Sequence, residues 1–398
     1  MQDNIPPTVF TAGSSPQDGP GEKGRAPSCL HGRLGTGCRR CMEVCGNQAI
    51  AAEKGRITID YQICNSCGYC ATACPTGFPD DLLPLSTDRE TLLKDLHQRL
   101  APLSFERQSF MVVFHEGALD LSEIKHPAAH VIDMALPSLG RLGMETLLAA
   151  LAFGAAAVSI VYPDQADTAA RRLIEEQVSW AGMIACALGY PETAVAFSGN
   201  LSAAMETFYC RTRPCPRPAT IAHLSGWPKR ILLEWAIRHL AAGNQDEHKD
   251  TVMPPGAPFG TLRIDPDKCT LCMACAGACG EEALVPDQTD SPGLRLSEKR
   301  CVQCGLCAEI CPENALSLVP RFSAGAFTDP APVLLHGIEP ERCAVCGRPF
   351  AAPAMIRQIK TRLSGHWMYQ TPRQQALLHL CGACRVQHFY ENSGKAAI

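Results

Sequence analysis

The residues with the clearest chemistry are cysteines: the chain has 23, and all but Cys186, Cys210 and Cys215 fall into closely spaced runs. The strongest signal is Cys269-x2-Cys272-x2-Cys275-x3-Cys279, followed by Cys301-x2-Cys304-x2-Cys307-x3-Cys311-Pro312. Three thiolates this close reach three iron corners of one cube only if the backbone wraps it, which also turns peptide N–H groups toward the sulfurs. Gly305 suits such wrapping, and Pro312 restricts the chain after the last ligand. In paired runs of this spacing each fourth cysteine ligates the cube of the other run. Cys269, Cys272, Cys275 and Cys311 are therefore expected to hold one [4Fe–4S] cluster, and Cys301, Cys304, Cys307 and Cys279 a second. Zinc would use four of these thiols at wider pairing, and disulfides belong to oxidising compartments.

An earlier block repeats the pattern with one departure. Cys64-x2-Cys67-x2-Cys70-x3-Cys74-Pro75 is complete, but its partner reads Gly35-x2-Cys38-x2-Cys41-x3-Cys45, with glycine at the first ligand position. Either Cys29 loops back through HGRLGTG to complete a [4Fe–4S] site, or the site is a [3Fe–4S] cluster with an open corner. The glycines between Cys29 and Cys38 favour the loop. The sets are then Cys29, Cys38, Cys41 and Cys74, and Cys64, Cys67, Cys70 and Cys45. Further on, Cys343-x2-Cys346-Gly347 and Cys381-x2-Cys384 form two CxxC knuckles around an inserted segment, as in a structural zinc ribbon. Rubredoxin-like iron is the rival there. Cys186 reads as a small core residue of an apolar helix, and Cys210 and Cys215 as loop thiols. With no GxGxxG after a strand, no GxxxxGK[ST] and no HExxH, nucleotide binding and metalloprotease chemistry find no support, and no catalytic residue is assigned.

These ligands need elements to position them. RITIDYQIC, TLRIDPDKC and GLRLSEKRC are alternating mini-strands delivering Cys64, Cys269 and Cys301, and NQAI, EEAL and ENAL echo one another after the runs, so one small unit is repeated. The fold class expected is α+β multidomain: two bacterial two-cluster ferredoxin-like modules flanking a small α/β parallel-sheet domain, plus a C-terminal zinc-ribbon-like module. Residues 1–28, rich in Pro and Gly, read as a disordered tail, and 29–80 as the first module. Residues 81–107 read as a helical linker with a helix near 88–100, capped by Thr87 and Glu90. In 108–200, apolar strands at 110–115, 130–136, 156–162 and 194–198 alternate with helices, implying a parallel sheet without metal. Residues 201–260 read as a linker with a helix between Pro228 and Gly243 whose Ile231, Leu232 and Trp235 face inward. The second module is 261–322, then a linker at 323–340 and the four-cysteine module at 341–398.

Charge and compartment narrow the function. The net charge of -4 excludes a whole-chain nucleic-acid footprint, although residues 341–398 hold eight basic residues against two acidic ones. Thr146 to Pro163 carries no charge, but its alanine content and Gly154 fit a short helix and a strand rather than a membrane span. The opening MQDNIPPTVF shows no export signature, so the cytoplasm is expected. Four oxidised cubes would take the charge to roughly -12, at potentials near about -400 mV.

GCRRCMEVC with ITIDYQICNSCGYCATACPTG, then CTLCMACAGAC, CVQCGLCAEICPENAL, and ERCAVCGRPF with HWMYQ and CGACRV, resemble the large 4Fe–4S ferredoxin-type proteins encoded beside molybdenum formate dehydrogenases in proteobacteria. The resemblance spans nearly all of 29–390 and implies electron transfer, or assembly assistance, linked to formate oxidation. The middle domain is similar to the small iron–sulfur subunit of heterodisulfide reductase and hydrogenase systems. That family carries loop cysteines for a two-iron cluster, whereas here LPSLGRLG and VYPDQAD have none. The resemblance therefore implies a retained fold serving as spacer or docking surface. The expectation is a polyferredoxin with four [4Fe–4S] clusters and one zinc, meeting redox partners such as formate dehydrogenase or its acceptor. The alternative is an assembly or scaffold factor for that enzyme.

Overall fold

The computed structural model describes residues 29–30, 38–53, 56–78, 89–104, 109–117, 131–162, 168–204, 219, 227–243, 250–287, 291, 293–329 and 331–393. The tail at 1–28, the HGRLGTG loop with Gly35, the Thr87 cap, Cys210 and Cys215 lie outside them. The chain divides into two compact units, Met1–Pro258 with Arg321–Asp329, and Phe259–Pro320 with Pro330–Ile398.

In the first unit, α1 (Arg40–Glu43), the antiparallel pair β1 (Ile50–Glu53) and β2 (Arg56–Ile59), and α2 (Tyr69–Ala73) carry the first cysteine block. Next come α3 (Arg89–Ser104) and the α/β layer: β3 (Met111–Glu116), β4 (Val131–Leu136), α4 (Met144–Ala152), β5 (Ala157–Val161), α5 (Thr168–Ala187) and β6 (Val195–Ser198). The four strands are parallel in the order β4-β3-β5-β6. β3 and β5 are buried on both faces except at Glu116, which explains their continuous apolar runs. Every residue of α4 is buried, and it packs under α6 (Lys229–Ala242), after which β7 (Thr251–Val252) pairs with Arg321 and Phe322.

Two expectations need correcting. The inner stripe of α6 is Lys229, Leu232, Leu233, Ala236, Ile237 and Leu240, and Ile231 is exposed, one helical step off that stripe. Cys186 is likewise exposed, because α5 buries Ile174, Ala181, Ile184 and Ala185 instead.

In the second unit, β8 (Gly260–Ile264) leads to α7 (Ala274–Ala278), β9 (Leu284–Pro286), β10 (Gly293–Leu296), α8 (Leu306–Glu309) and β11 (Leu316–Phe322). β8 pairs with Leu316–Pro320, and β10 pairs with both β9 and β12 (Val333–Gly337). Leu262, Leu271, Leu284, Leu294 and Leu296 form an apolar cluster with Cys275 and Cys301. The last four cysteines sit on a hairpin, β13 (Glu341–Arg342) and β14 (Pro349–Ala351), and at the start of α10 (Gly382–Ser393), after α9 (Pro353–Leu363). Ala352 and Met355 pack on the Leu262 cluster. No helix among the described residues is long and apolar enough to cross a membrane.

Candidate iron–sulfur and metal centres

Three cysteine runs share one unusual backbone. In Cys64–Cys70 the left-handed residues are Ser66 and Gly68, in Cys269–Cys275 Leu271 and Met273, and in Cys301–Cys307 Gln303 and Gly305. They occupy the same two positions each time, two after the first cysteine and one after the second. Only glycine adopts such φ without cost, so non-glycine residues held there mark an imposed wrap. Another turn recurs three residues past each fourth cysteine. Gln48, Gly77, Glu282 and Asn314 all have positive φ, and each donates its N–H to the carbonyl of Cys45, Cys74, Cys279 or Cys311, at 3.0, 3.3, 3.0 and 3.1 Å. In the departing run, Arg39 has φ −123, where its counterparts are left-handed.

The wraps gather the thiols of each block close to one another. Burial lifts the free Cys41 thiol to about 12, with Cys74, Cys29 and Cys38 adding to the rise. Cys29 is itself buried and shares an apolar cluster with Cys41. Cys70 reaches about 12 through burial and then Cys67, Cys41, Cys45 and Cys64. Cys275 reaches about 11 through burial, with Cys269, Cys272 and Cys311 contributing, and Cys307 about 12 with Cys301, Cys304 and Cys279. Cys269, Cys272, Cys275 and Cys311 also line one cavity, walled by Leu294 and Leu316. Backbone N–H groups point at sulfur: Ala49 at Cys45 Sγ, 3.3 Å, and Ala315 at Cys311 Sγ, 3.4 Å. Thiols gathered in fours, at least one of each four buried and some with backbone N–H groups aimed at them, are a donor set that fits an iron–sulfur cube.

The last four cysteines are built differently. The Sγ atoms of Cys343, Cys346, Cys381 and Cys384 all lie within 4.8 Å of one another. Cys346 and Cys381 are 3.7 Å apart. Zn–S bonds of about 2.3 Å in a tetrahedron require about 3.8 Å between sulfurs, so the spacing of these donors fits a single tetrahedral ion. Gly347 has φ +69 after the first knuckle, and the Cys381 N–H donates to Cys343 Sγ at 3.3 Å. N–H groups of Cys346 and Cys381 hold the Cys343 thiol down at about 6.

The sequence reading missed what surrounds the first block. The carboxyl ends of the parallel strands, where open α/β sheets place ligands, are occupied by the Cys64–Cys74 segment. Thr72 Oγ1 donates to Gly140 O at 2.7 Å, Arg141 to Ser66 O at 2.9 Å, and the Tyr69 and Tyr162 hydroxyls meet at 3.3 Å. A Cβ on Gly140 would lie 2.6 Å from Cys67 O, so only glycine allows this approach. From below, the buried Lys229 ammonium donates to the carbonyls of Thr72, Cys74 and Ala71 at 2.7, 3.1 and 3.3 Å. The available signal was Lys229 falling on the apolar stripe of α6.

Family comparison agrees with these centres. Two models of the 4Fe-4S dicluster domain match, one over residues 36–78 and 300–352, the other over 261–317. The 300–352 match reaches Cys343 and Cys346, yet those thiols group with Cys381 and Cys384, whereas Cys307 lies near Cys301, Cys304, Cys279 and Cys275. No curated protein matches the chain. The chain thus carries 4Fe-4S dicluster ferredoxin domains, one in its first unit and one in its second.

Proposed function

We propose that the chain is a polyferredoxin. It would hold four [4Fe–4S] clusters on Cys29, Cys38, Cys41 and Cys74; on Cys64, Cys67, Cys70 and Cys45; on Cys269, Cys272, Cys275 and Cys311; and on Cys301, Cys304, Cys307 and Cys279. Zinc closes the Cys343, Cys346, Cys381 and Cys384 site. The observation that carries this reading is the repetition of the same left-handed turns around each complete run. When bound, each cube accepts and returns one electron. The polypeptide buries Cys29, Cys41, Cys70, Cys275 and Cys301 and aims N–H groups at the sulfurs of Cys45 and Cys311. Cys272 and Cys304 are exposed, which suits approach by a redox partner. Following the resemblance, that partner is a formate dehydrogenase or its acceptor, in the cytoplasm.

Anaerobic iron, sulfide and zinc analysis tests the reading. About 16 iron and one zinc per chain are expected. About 15 iron would instead indicate a three-iron site at Cys38, Cys41 and Cys74, and about 17 without zinc an iron at the last site. Folded, colourless protein made with ample iron and sulfide would overturn it. Reduction by formate with catalytic formate dehydrogenase supports the partner, and binding restricted to the immature enzyme would favour the scaffold role instead.

A further inference from the structure

The second unit contains a tether between its two kinds of metal site. Helix α9 lies in the segment between the two CxxC knuckles, so the chain at both of its ends leads to the four-cysteine site. Its inner side faces other residues. Ala352 and Met355 pack on the leucine cluster around Cys275, and Ile356 is buried. Further along, Gln358 Nε2 donates to Glu313 Oε2 at 2.6 Å, and Arg362 Nη2 donates to Glu313 Oε1 at 3.5 Å. These donors are four residues apart on one face of the helix, so both oxygens of a single carboxylate are held. α9 also packs against the turn Leu377–His379, which ends two residues before Cys381.

Glu313 is in turn part of a cube's surroundings. It lines the same cavity as Cys269, Cys272, Cys275 and Cys311, and it sits inside the turn that follows Cys311. Pro312 restricts that turn, Asn314 is left-handed and donates to Cys311 O at 3.1 Å, and the Ala315 N–H points at Cys311 Sγ at 3.4 Å. The Glu313 side chain is 15 % exposed and that of Arg362 70 %, so the carboxylate belongs to the site and Arg362 reaches in from the surface. We propose that Glu313 is a positioning residue that couples two metal sites. The four-cysteine site fixes α9, α9 holds Glu313, and Glu313 holds the turn that aims an N–H group at Cys311. The inference rests on the ligand sets proposed above. Such coupling is reciprocal, so occupation of either site strengthens binding at the other by the same factor. Hydrogen bonds to cluster sulfurs help to set the potential, and a donor lost there leaves an added electron less stabilised.

The experiment uses the full-length holoprotein under anaerobic conditions, with iron and zinc measured on every sample. Glu313→Ala removes both acceptors, and Glu313→Gln keeps a carbonyl oxygen for the Gln358 amide. Zinc affinity is read by competition with a chromogenic zinc chelator, and the clusters by EPR during a dithionite titration. Glu313→Ala is expected to weaken zinc binding about tenfold. It should also lower the midpoint potential of one second-module centre and leave the first-module signals unmoved. Glu313→Gln is expected to restore most of both values. Loaded Glu313→Ala protein with unchanged zinc affinity, or with weaker zinc binding but unmoved EPR signals, would overturn the proposal. Should Glu313→Ala fail to load iron, wild-type holoprotein stripped of zinc by the chelator decides. A downward shift of one second-module centre then supports the proposal, and unmoved signals overturn it. Failure of the ligand assignment would appear separately, in the wild type, as iron well below about 16 or zinc below about one per chain.

Discussion

Around Cys64–Cys74 the chain is held from outside, by Lys229 below and by Thr72, Tyr69 and Ser66 contacts to the edge of a parallel sheet. Around Cys269–Cys311 it is held by its own strands: β8 against Leu316–Pro320, and β9 against β10, with five leucines between them. The same turns thus recur in two settings, one polar and borrowed, one apolar and built in. Cluster geometry is set by the local wrap, and the means of stabilising that wrap is free to differ.

The largest effect expected from this contrast comes from removing a ligand. Cys67→Ser and Cys272→Ser should each cost about 4 iron per chain. Limited proteolysis should then cut within 261–322 of the second variant, because Leu294 and Leu316 line a cavity that has lost its cube, while 56–78 of the first stays protected by the sheet edge. Equal cleavage would erase the distinction.

Leu147→Ala, at a fully buried site of α4, should cost about 2–5 kcal/mol in thermal or denaturant unfolding. The lost stability should be confined to the unit that carries the parallel sheet. Gly140→Ala forces a contact of 2.6 Å with Cys67 O and should cost about 1–3 kcal/mol. Its EPR signature should be altered first-module signals beside unaltered second-module ones. The smallest change is Tyr162→Phe, which deletes one hydroxyl contact and should cost about 1 kcal/mol by the same unfolding measurement. A loss of zinc without loss of iron in Cys384→Ser would show that the last site stands apart from both modules.

Much of this was legible in the sequence because metal ligands are local. The spacing in CxxCxxC predicts the wrap, and Ser66, Leu271 and Gln303 adopt it although none is glycine. Strands β3 and β5 were legible from continuous apolar runs, since a strand covered on both faces has no alternation to read. The seating of Cys64–Cys74 on Gly140 and Arg141 was not, because it joins residues some 70 positions apart through backbone carbonyls, which leave no trace in side-chain pattern. Lys229 was overlooked for a related reason: a lysine is ordinarily a solvated residue, and only its alignment with Leu232, Leu233 and Ala236 betrays burial. Cys186 and Ile231 show the limit of periodicity, since a single step around a helix carries a residue from core to surface.

The occupied edge of the parallel sheet has one more consequence. A pocket-bearing fold whose visitor is covalently attached never has to capture it from solution, and attachment supplies an effective concentration on the order of millimolar. Three modest hydrogen bonds at the sheet edge, too few to retain a diffusing guest, therefore suffice together with those from Lys229 to keep this segment in place.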